Sequence, residues 1–149
     1  MALTAIILLC FAALLPFPGL GERDHSGELK TFPVKVIVIN DRSEKISYST
    51  TVTEGWTMFG ALNELQDSNS SFKFTSTNDK HYGIFLESVN GLPGSKKDNT
   101  YWQLLSQKPG GDITPLEVGM GCYQPQEYEN LILEFTKYHP KRDLFHHDL

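Results

Sequence analysis

The sequence is poor in cysteine, in basic residues and in long apolar segments, and each shortage excludes a class of protein. With two cysteines in 149 residues, the chain cannot be a disulfide-rich scaffold. Thirteen basic residues stand against eighteen acidic ones, and the formal net charge of −5 argues against nucleic acid as a partner. One apolar run lies near the amino end, and it is too short to cross a bilayer, so we expect no membrane anchor.

That apolar run has the layout of a secretory signal peptide. Residues 5–15 carry no charge, and the small residues Gly19 and Gly21 suit a cleavage site just before the first charged residues. We therefore predict a signal peptide over residues 1–21 and a secreted, extracellular protein. Cleavage after Gly21 leaves 128 residues, which is enough for a single domain.

One cysteine remains after the predicted cleavage, because Cys10 lies in the signal peptide. We therefore expect no disulfide within the mature chain and a fold that is stabilised by packing. Cys122 is interpreted as a small buried apolar residue, and a reactive thiol or an intermolecular bridge is the alternative.

Signatures of catalysis and of metal binding are missing. The chain has no phosphate-binding glycine loop, no Gly-x-Ser-x-Gly motif, and no Cys-x-x-Cys or His-Glu-x-x-His spacing. His146 and His147 are adjacent in a polar tail, residues 139–149, and no carboxylate or thiol is fixed beside them as a further ligand. We therefore expect neither an enzyme nor a bound metal ion.

Apolar periodicity divides the rest of the chain into a charged lead-in, residues 22–31, and one domain, residues 32–138. β-Branched and aromatic residues predict six strands, at residues 32–39, 46–52, 72–75, 82–89, 100–106 and 131–138. One helix is predicted over residues 57–66, capped by Thr53 or Thr57, with a buried stripe of Met58, Ala61, Leu62 and Leu65. This order predicts an α+β fold, a β-grasp-like single domain with one helix packed on a mixed sheet.

In two of the strands, the sequence pattern predicts which face is buried and which face is exposed to solvent. On the first strand the core face is predicted to hold Phe32, Val34, Val36 and Val38. On the last strand Leu131, Leu133 and Phe135 are predicted to face the core, whereas Glu134 and Thr136 face water.

The polar loop after the helix contains a sequon for N-linked glycan, Asn69-Ser70-Ser71. On a secreted chain this sequon predicts a solvent-facing loop and a glycan on Asn69.

The strand pair 82–89 and 100–106 is unusually rich in aromatic and apolar residues, and two interpretations of it are open. In the first, both strands are central and Trp102 is a core residue. In the second, Trp102 is a surface anchor, and the strand offers rings and backbone amides to a ligand. Trp102 and Leu104 would then point to one side, and Tyr101, Gln103 and Leu105 to the other. Such a surface suits a flat, uncharged, amide-rich molecule.

The same stretch resembles the carboxy-terminal domain of the cobalamin carrier family, which comprises transcobalamin, haptocorrin and intrinsic factor. The resemblance extends from Val34 to Tyr138. The motifs that carry it are Tyr82-Gly83, Ser88-Val89-Asn90-Gly91, Thr100-Tyr101-Trp102-Gln103-Leu104-Leu105-Ser106, Pro115-Leu116-Glu117-Val118-Gly119, Tyr123 and Phe135-Thr136-Lys137-Tyr138.

The resemblance implies a β-grasp module that covers one side of a corrin ring while, in the full carriers, a helical barrel holds the other side. Cobalamin would be a bound ligand rather than a catalytic cofactor, and no residue is assigned to its cobalt. Because this chain has no room for the helical barrel, it would supply half of a site, and a partner protein is the source expected for the other half. The ligand contacts that the resemblance implies are Tyr82, Gly83, Ile84, Phe85, Leu86, Trp102, Gln103, Leu104, Pro115 and Leu116.

The resulting hypothesis is a secreted corrinoid-binding protein that contributes to cobalamin binding and transport. A protein-interaction module that keeps the fold but has lost the ligand is the alternative, since an uncovered apolar strip favours association. An enzyme acting on a small extracellular molecule is a third hypothesis, and the sequence shows no assembled acid, base or nucleophile for it.

Overall fold

A computed structural model describes residues 29–81 and 83–139 of the chain. The predicted signal peptide, nearly all of the lead-in, Tyr82 and the tail from residue 140 lie outside the described residues.

Eight strands and one helix form the described part of the chain. They are β1 (Thr31–Ile39), β2 (Lys45–Thr53), α1 (Met58–Ser68), β3 (Phe74–Asp79), β4 (Gly83–Val89), β5 (Leu92–Pro93), β6 (Thr100–Gln107), β7 (Ile113–Pro115) and β8 (Asn130–Lys137). All six predicted strands and the helix are confirmed, with ends that move by at most four residues. The short strands β5 and β7 were not predicted, because two or three residues that include a proline give no period to detect.

Five of the strands form a mixed sheet in the order β2-β1-β8-β6-β7. β1 runs antiparallel to β2 and parallel to β8, while β8 runs antiparallel to β6. The first and last long strands of the chain are therefore hydrogen-bonded neighbours at the centre of the sheet. The α+β class is confirmed by this mixed sheet and its helix.

A second sheet, which the sequence did not separate from the first, has the order β3-β4-β5. It packs beside the helix: Phe59 of α1 and Phe74 of β3 meet edge to face with ring centroids 6.0 Å apart. Asn90 and Gly91 both adopt positive φ in the turn from β4 to β5, as a tight hairpin requires.

The core lies between the five-stranded sheet and the layer formed by the helix and the second sheet. The first strand buries the four predicted residues, and the helix stripe is buried completely, as predicted. Thr57 caps the helix, since its Oγ1 accepts a hydrogen bond from the amide of Gly60 at 3.3 Å.

The outer face of β8 is less exposed to solvent than predicted. Leu131 and Leu133 are buried as expected, but Ile132 on the opposite face is only 3 % exposed. In register, Ile132 is paired with Leu105 of β6 and with Ile37 of β1. Cross-strand neighbours share a face, so these three apolar side chains can shield one another from water.

A buried carboxylate organises the long segment between β7 and β8. Glu129 is fully buried, and its side chain accepts hydrogen bonds from Ser106 Oγ at 2.5 Å, Tyr123 OH at 2.5 Å and the Gln126 amide at 2.7 Å. Its carbonyl also accepts from the amide of Lys35 on β1, at 3.0 Å. Glu129 therefore ties this segment to both β6 and β1.

The same segment closes the amino end of the helix. The amide of Met58 donates to the carbonyl of Tyr123 at 2.7 Å, and the amide of Phe59 donates to that of Met120 at 2.9 Å. The first amides of a helix have no partner within the helix, so these bonds satisfy two groups that would otherwise be left open.

Cys122 takes part in a disulfide in this structure. The expectation that no disulfide forms concerned the mature chain without residues 1–21, and for that chain it stays a prediction. Cys122 is the one cysteine within residues 29–139, so its bonding partner lies outside the described residues.

Replacing Glu129 should destabilise the fold strongly. In Glu129→Ala, three donors lose their acceptor inside the protein, and we expect the free energy of unfolding to fall by about 3 kcal/mol or more, measured by urea denaturation. Glu127→Gln is the matched control, because Glu127 pairs with the exposed Lys30 at 3.0 Å and the substitution should change the midpoint little. Equal effects of the two substitutions would contradict the organising role of Glu129.

Tyr123 should make stability sensitive to alkaline pH. Burial, together with the hydrogen bond to Glu129, raises the pKa of Tyr123 to about 12, above the value near 10 of an unfolded chain. The protonated phenol therefore contributes stability in full below about pH 10, and that contribution is lost as the pH rises towards 12. Thermal unfolding of the wild type and Tyr123→Phe between pH 8 and 12 should show the steeper loss in the wild type; parallel curves would contradict the assignment.

Candidate functional site

The predicted ligand contacts come from three segments that the fold brings to one region. β4 contacts β6, and the chain beyond β7 continues alongside β6, where the amide of Leu116 donates to the carbonyl of Leu104 at 3.0 Å. Pro115 pairs with Leu105 in the same ladder. The two strands and the segment after β7 are thus neighbours, as a shared site requires.

Three of the predicted contacts are half-buried apolar residues, Ile84, Leu104 and Leu116, and we call them the rim. Each is partly exposed and packs against the main core. The rim contains no charged side chain, and apolar side chains with some exposure are the usual lining of a ligand site.

Gly121 lies against the rim residue Ile84, and the sequence analysis did not predict this contact. A Cβ atom at this position would lie 3.1 Å from Cδ1 of Ile84, so the absence of a side chain allows the segment after β7 to approach β4 closely. No periodic pattern surrounds Gly121, and the sequence offers no signal for this contact.

Trp102 lies in the core rather than on the surface. Its side chain is 4 % exposed, its indole N–H donates to the carbonyl of Leu92 at 2.8 Å, and its ring meets Phe135 edge to face with centroids 5.3 Å apart. The structure thus favours the first interpretation of Trp102, as a core residue that holds β5, β6 and β8 together. Leu86 of β4, which is 4 % exposed, belongs to the same core.

Two predicted contacts point away from the rim. Along β4 the inward side chains are Ile84 and Leu86, so Phe85 faces outward, and it is 48 % exposed. On β6, Gln103 lies on the face opposite Trp102 and Leu104, where its Oε1 accepts a hydrogen bond from Thr136 Oγ1 at 3.5 Å. The alternation of a strand therefore divides the predicted set between two surfaces.

Gly83 and Pro115, which also belong to the predicted set, are exposed at the ends of their strands. Gly83 has a φ of +78°, a conformation that favours glycine, where the turn after β3 enters β4.

The predicted glycan acceptor lies at the carboxyl end of the helix. Asn69 is the C-cap of α1, and its Oδ1 accepts hydrogen bonds from the amide and the hydroxyl of Ser71, at 2.9 and 2.7 Å. Ser70 and Ser71 are exposed, so the loop faces solvent as the sequon predicts. Glycosylation itself stays a prediction.

Residues 29–81 and 83–139 contain no cluster of three histidine, cysteine or acidic side chains that could hold a metal ion. Among the same residues, no helix is long and apolar enough to cross a membrane.

The fold and the sequence together relate this chain to the cobalamin carriers. No family model matches it. Cobalamin binding intrinsic factor from Canis lupus familiaris is 37 % identical over 87 residues, which cover 58 % of this chain and 19 % of that protein. The human intrinsic factor is 32 % identical over 90 residues, and human Transcobalamin-1 is 30 % identical over 90 residues.

Solved structures extend this relation. Haptocorrin in complex with Cbi superimposes with a TM-score of 0.65 and 27 % identity, over 74 % of this chain and 26 % of that chain. A putative metal binding protein from Ruminococcus gnavus superimposes with a TM-score of 0.53 at 15 % identity, over 72 % of this chain and 99 % of that chain, which shows a shared fold alone.

The predicted resemblance to the cobalamin carriers is confirmed, and it is partial. The chain spans about a fifth of the length of the curated relatives that it matches. These relatives are named for binding a small molecule, which is consistent with a protein that is not an enzyme.

Substitutions at Trp102 and Phe85 should separate a core role from a surface role. We expect Trp102→Ala to lower the free energy of unfolding by about 3–5 kcal/mol, because it empties a buried site. Phe85→Ala should stay within about 0.5 kcal/mol of the wild type, since its ring faces solvent. Urea denaturation measures both, and a small loss for Trp102→Ala would restore the surface-anchor interpretation.

Proposed function

We propose that this chain is a secreted corrinoid-binding protein that contributes half of a cobalamin site. The observation that carries the proposal is the likeness to haptocorrin in complex with Cbi, which covers three quarters of this chain at a TM-score of 0.65. The central parallel pair of β1 and β8, flanked by β2 and β6, supports the β-grasp-like interpretation of the shared domain.

The rim matches the chemistry of a corrin. Such a ring has apolar edges, which Ile84, Leu104 and Leu116 can cover, and peripheral amide groups that need hydrogen-bond partners. Those partners are available on the backbone of β4, because β5 pairs only with Ser88 and Val89 and leaves the earlier part of that edge without a strand among the described residues. Main-chain amides and carbonyls can then meet the corrin amides while apolar side chains meet the ring.

A half-site should bind its ligand weakly when it acts alone. The chain corresponds to a fifth of the carriers it matches, and a site enclosed on one side leaves much of the ligand in water. We infer that a partner protein supplies the second half when tight binding is needed. The role in cobalamin transport, as opposed to binding, belongs to that complete assembly.

Titration of the purified protein with hydroxocobalamin, and separately with a corrinoid that lacks the lower nucleotide, should show saturable binding by calorimetry. Leu116→Ala should weaken binding about tenfold or more, because it removes an apolar contact from the rim while the amide bond to Leu104 remains. Ile39→Ala is the matched control: Ile39 is also a half-buried aliphatic residue, but it lies on the opposite face of the sheet.

Two results would contradict this proposal. Absence of binding at high micromolar ligand would remove the stand-alone site and favour the alternative of a protein-interaction module on the same fold. Equal losses of corrinoid affinity in Leu116→Ala and Ile39→Ala would show that the rim does not contact the ligand. Phe85→Ala adds a further distinction, because a loss there would move the ligand to the outer face of β4.

Expression in mammalian cells should deliver the protein to the medium with Glu22 as its first residue and a glycan on Asn69. Mass spectrometry before and after removal of N-linked glycan measures both features. Asn69→Gln and Ser71→Ala should each abolish the glycan, since each breaks the chain's single sequon. Retention in the cell with residues 1–21 still attached would contradict secretion.

A further inference from the structure

A groove separate from the rim runs along the exposed side of the helix. It has a volume of about 420 Å³ and is lined by Trp56, Thr57, Gly60, Asn63, Glu64 and Asp67. These positions recur every three or four residues, so they form one stripe of the helix, opposite the buried stripe that begins at Met58. No lining residue belongs to the predicted corrinoid contacts.

Trp56 forms an aromatic wall at one end of the groove. Its side chain is 40 % exposed, although a large aromatic residue is normally buried when it has no partner. Its ring lies over Gly60, where an added Cβ would be 3.7 Å from ring atom Cε3. The ring thus packs against the first turn of the helix, and 40 % of the side chain stays open to solvent.

The groove is acidic. Glu64 and Asp67 lie three residues apart on the exposed stripe, and within the described chain neither carboxylate makes a hydrogen bond or an ion pair. No lysine or arginine lines the groove. An aromatic face beside two open carboxylates is the arrangement that attracts a guanidinium or ammonium group.

We propose that this groove binds an extended, arginine-containing segment of a partner protein. One guanidinium lies on the ring of Trp56, and a second basic side chain pairs with Glu64 and Asp67. The stripe from Thr57 to Asp67 is roughly 15 Å long, which is the reach of about five extended residues. The groove is shallow and open to solvent, which suits a chain laid across it better than an enclosed small molecule.

The test uses the full chain and the peptide acetyl-Gly-Arg-Gly-Arg-Gly-amide, followed by the indole N–H resonances of the two tryptophans in an NMR titration. Trp56→Phe assigns the resonance of Trp56. We expect a saturable shift of Trp56 with the arginine peptide, little shift of the buried Trp102, and no shift with a peptide in which glutamine replaces arginine. Binding should weaken when salt is raised, because the carboxylates are exposed.

Two double variants that remove the same amount of charge at different places test whether the position of the charge matters. Glu64→Gln with Asp67→Asn should weaken binding about tenfold, whereas Asp41→Asn with Glu44→Gln, which removes the same charge from the exposed β1–β2 turn, should not. Equal losses in the two double variants, or equal shifts from the arginine and glutamine peptides, would overturn the proposal.

The Trp56 resonance also tests two other occupants of the groove, an oligosaccharide and the chain's own carboxy-terminal tail. A saturable shift of Trp56 with an oligosaccharide, and none with the arginine peptide, would assign the groove to sugar and overturn the proposal. A shift of the Trp56 resonance in Lys141→Ala with Arg142→Ala, without added peptide, would show that the chain's own tail fills the groove and would also overturn the proposal. Corrinoid binding is measured separately, so its presence or absence does not bear on this result.

Discussion

The buried carboxylate of Glu129 is the interaction on which the arrangement of the candidate site depends. A fully buried acidic side chain is costly unless its oxygens are satisfied, and here three donors from two parts of the chain supply the hydrogen bonds. Ser106 belongs to β6, whereas Tyr123 and Gln126 belong to the segment that returns to β8. The carboxylate thus converts an irregular connection into a fixed element of the core.

Fixing this connection has two structural consequences. Tyr123 and Met120 offer their carbonyls to the first amides of the helix, so the helix start is positioned by the same segment. Between these residues, Gly121 lies against Ile84 and closes one edge of the rim. The second sheet, the start of the helix and β6 are therefore held together by the segment between β7 and β8.

Periodicity was enough to predict the long strands, the helix and most of the core. The alternation from Phe32 to Val38 and the helical stripe from Met58 to Leu65 are strong patterns, because each places apolar side chains on one face. Glu129 could not be predicted in the same way. It lies in a polar stretch without a period, and its burial depends on Ser106, which is distant in sequence and close only in the folded chain.

Only part of the candidate site could be predicted, because the sequence did not show which strand residues share a face. The resemblance to the cobalamin carriers named a continuous run of β4 and β6 residues, but a strand sends neighbours to opposite faces. Ile84 and Leu104 therefore reach the rim, whereas Phe85 and Gln103 do not. Trp102 was open to two interpretations in the sequence, and its bond to Leu92 and contact with Phe135 favour the core.

The central claim is that a corrinoid lies on the rim, and backbone amide mapping tests it most directly. In a ¹⁵N NMR titration with a corrinoid that lacks the lower nucleotide, we expect the largest shifts on Gly83 to Leu86 and on Leu116 to Gly121. The amides of β2, at the far edge of the sheet, should stay in place. Saturable shifts confined to β2 or to the helix, or none at all, would contradict the claim.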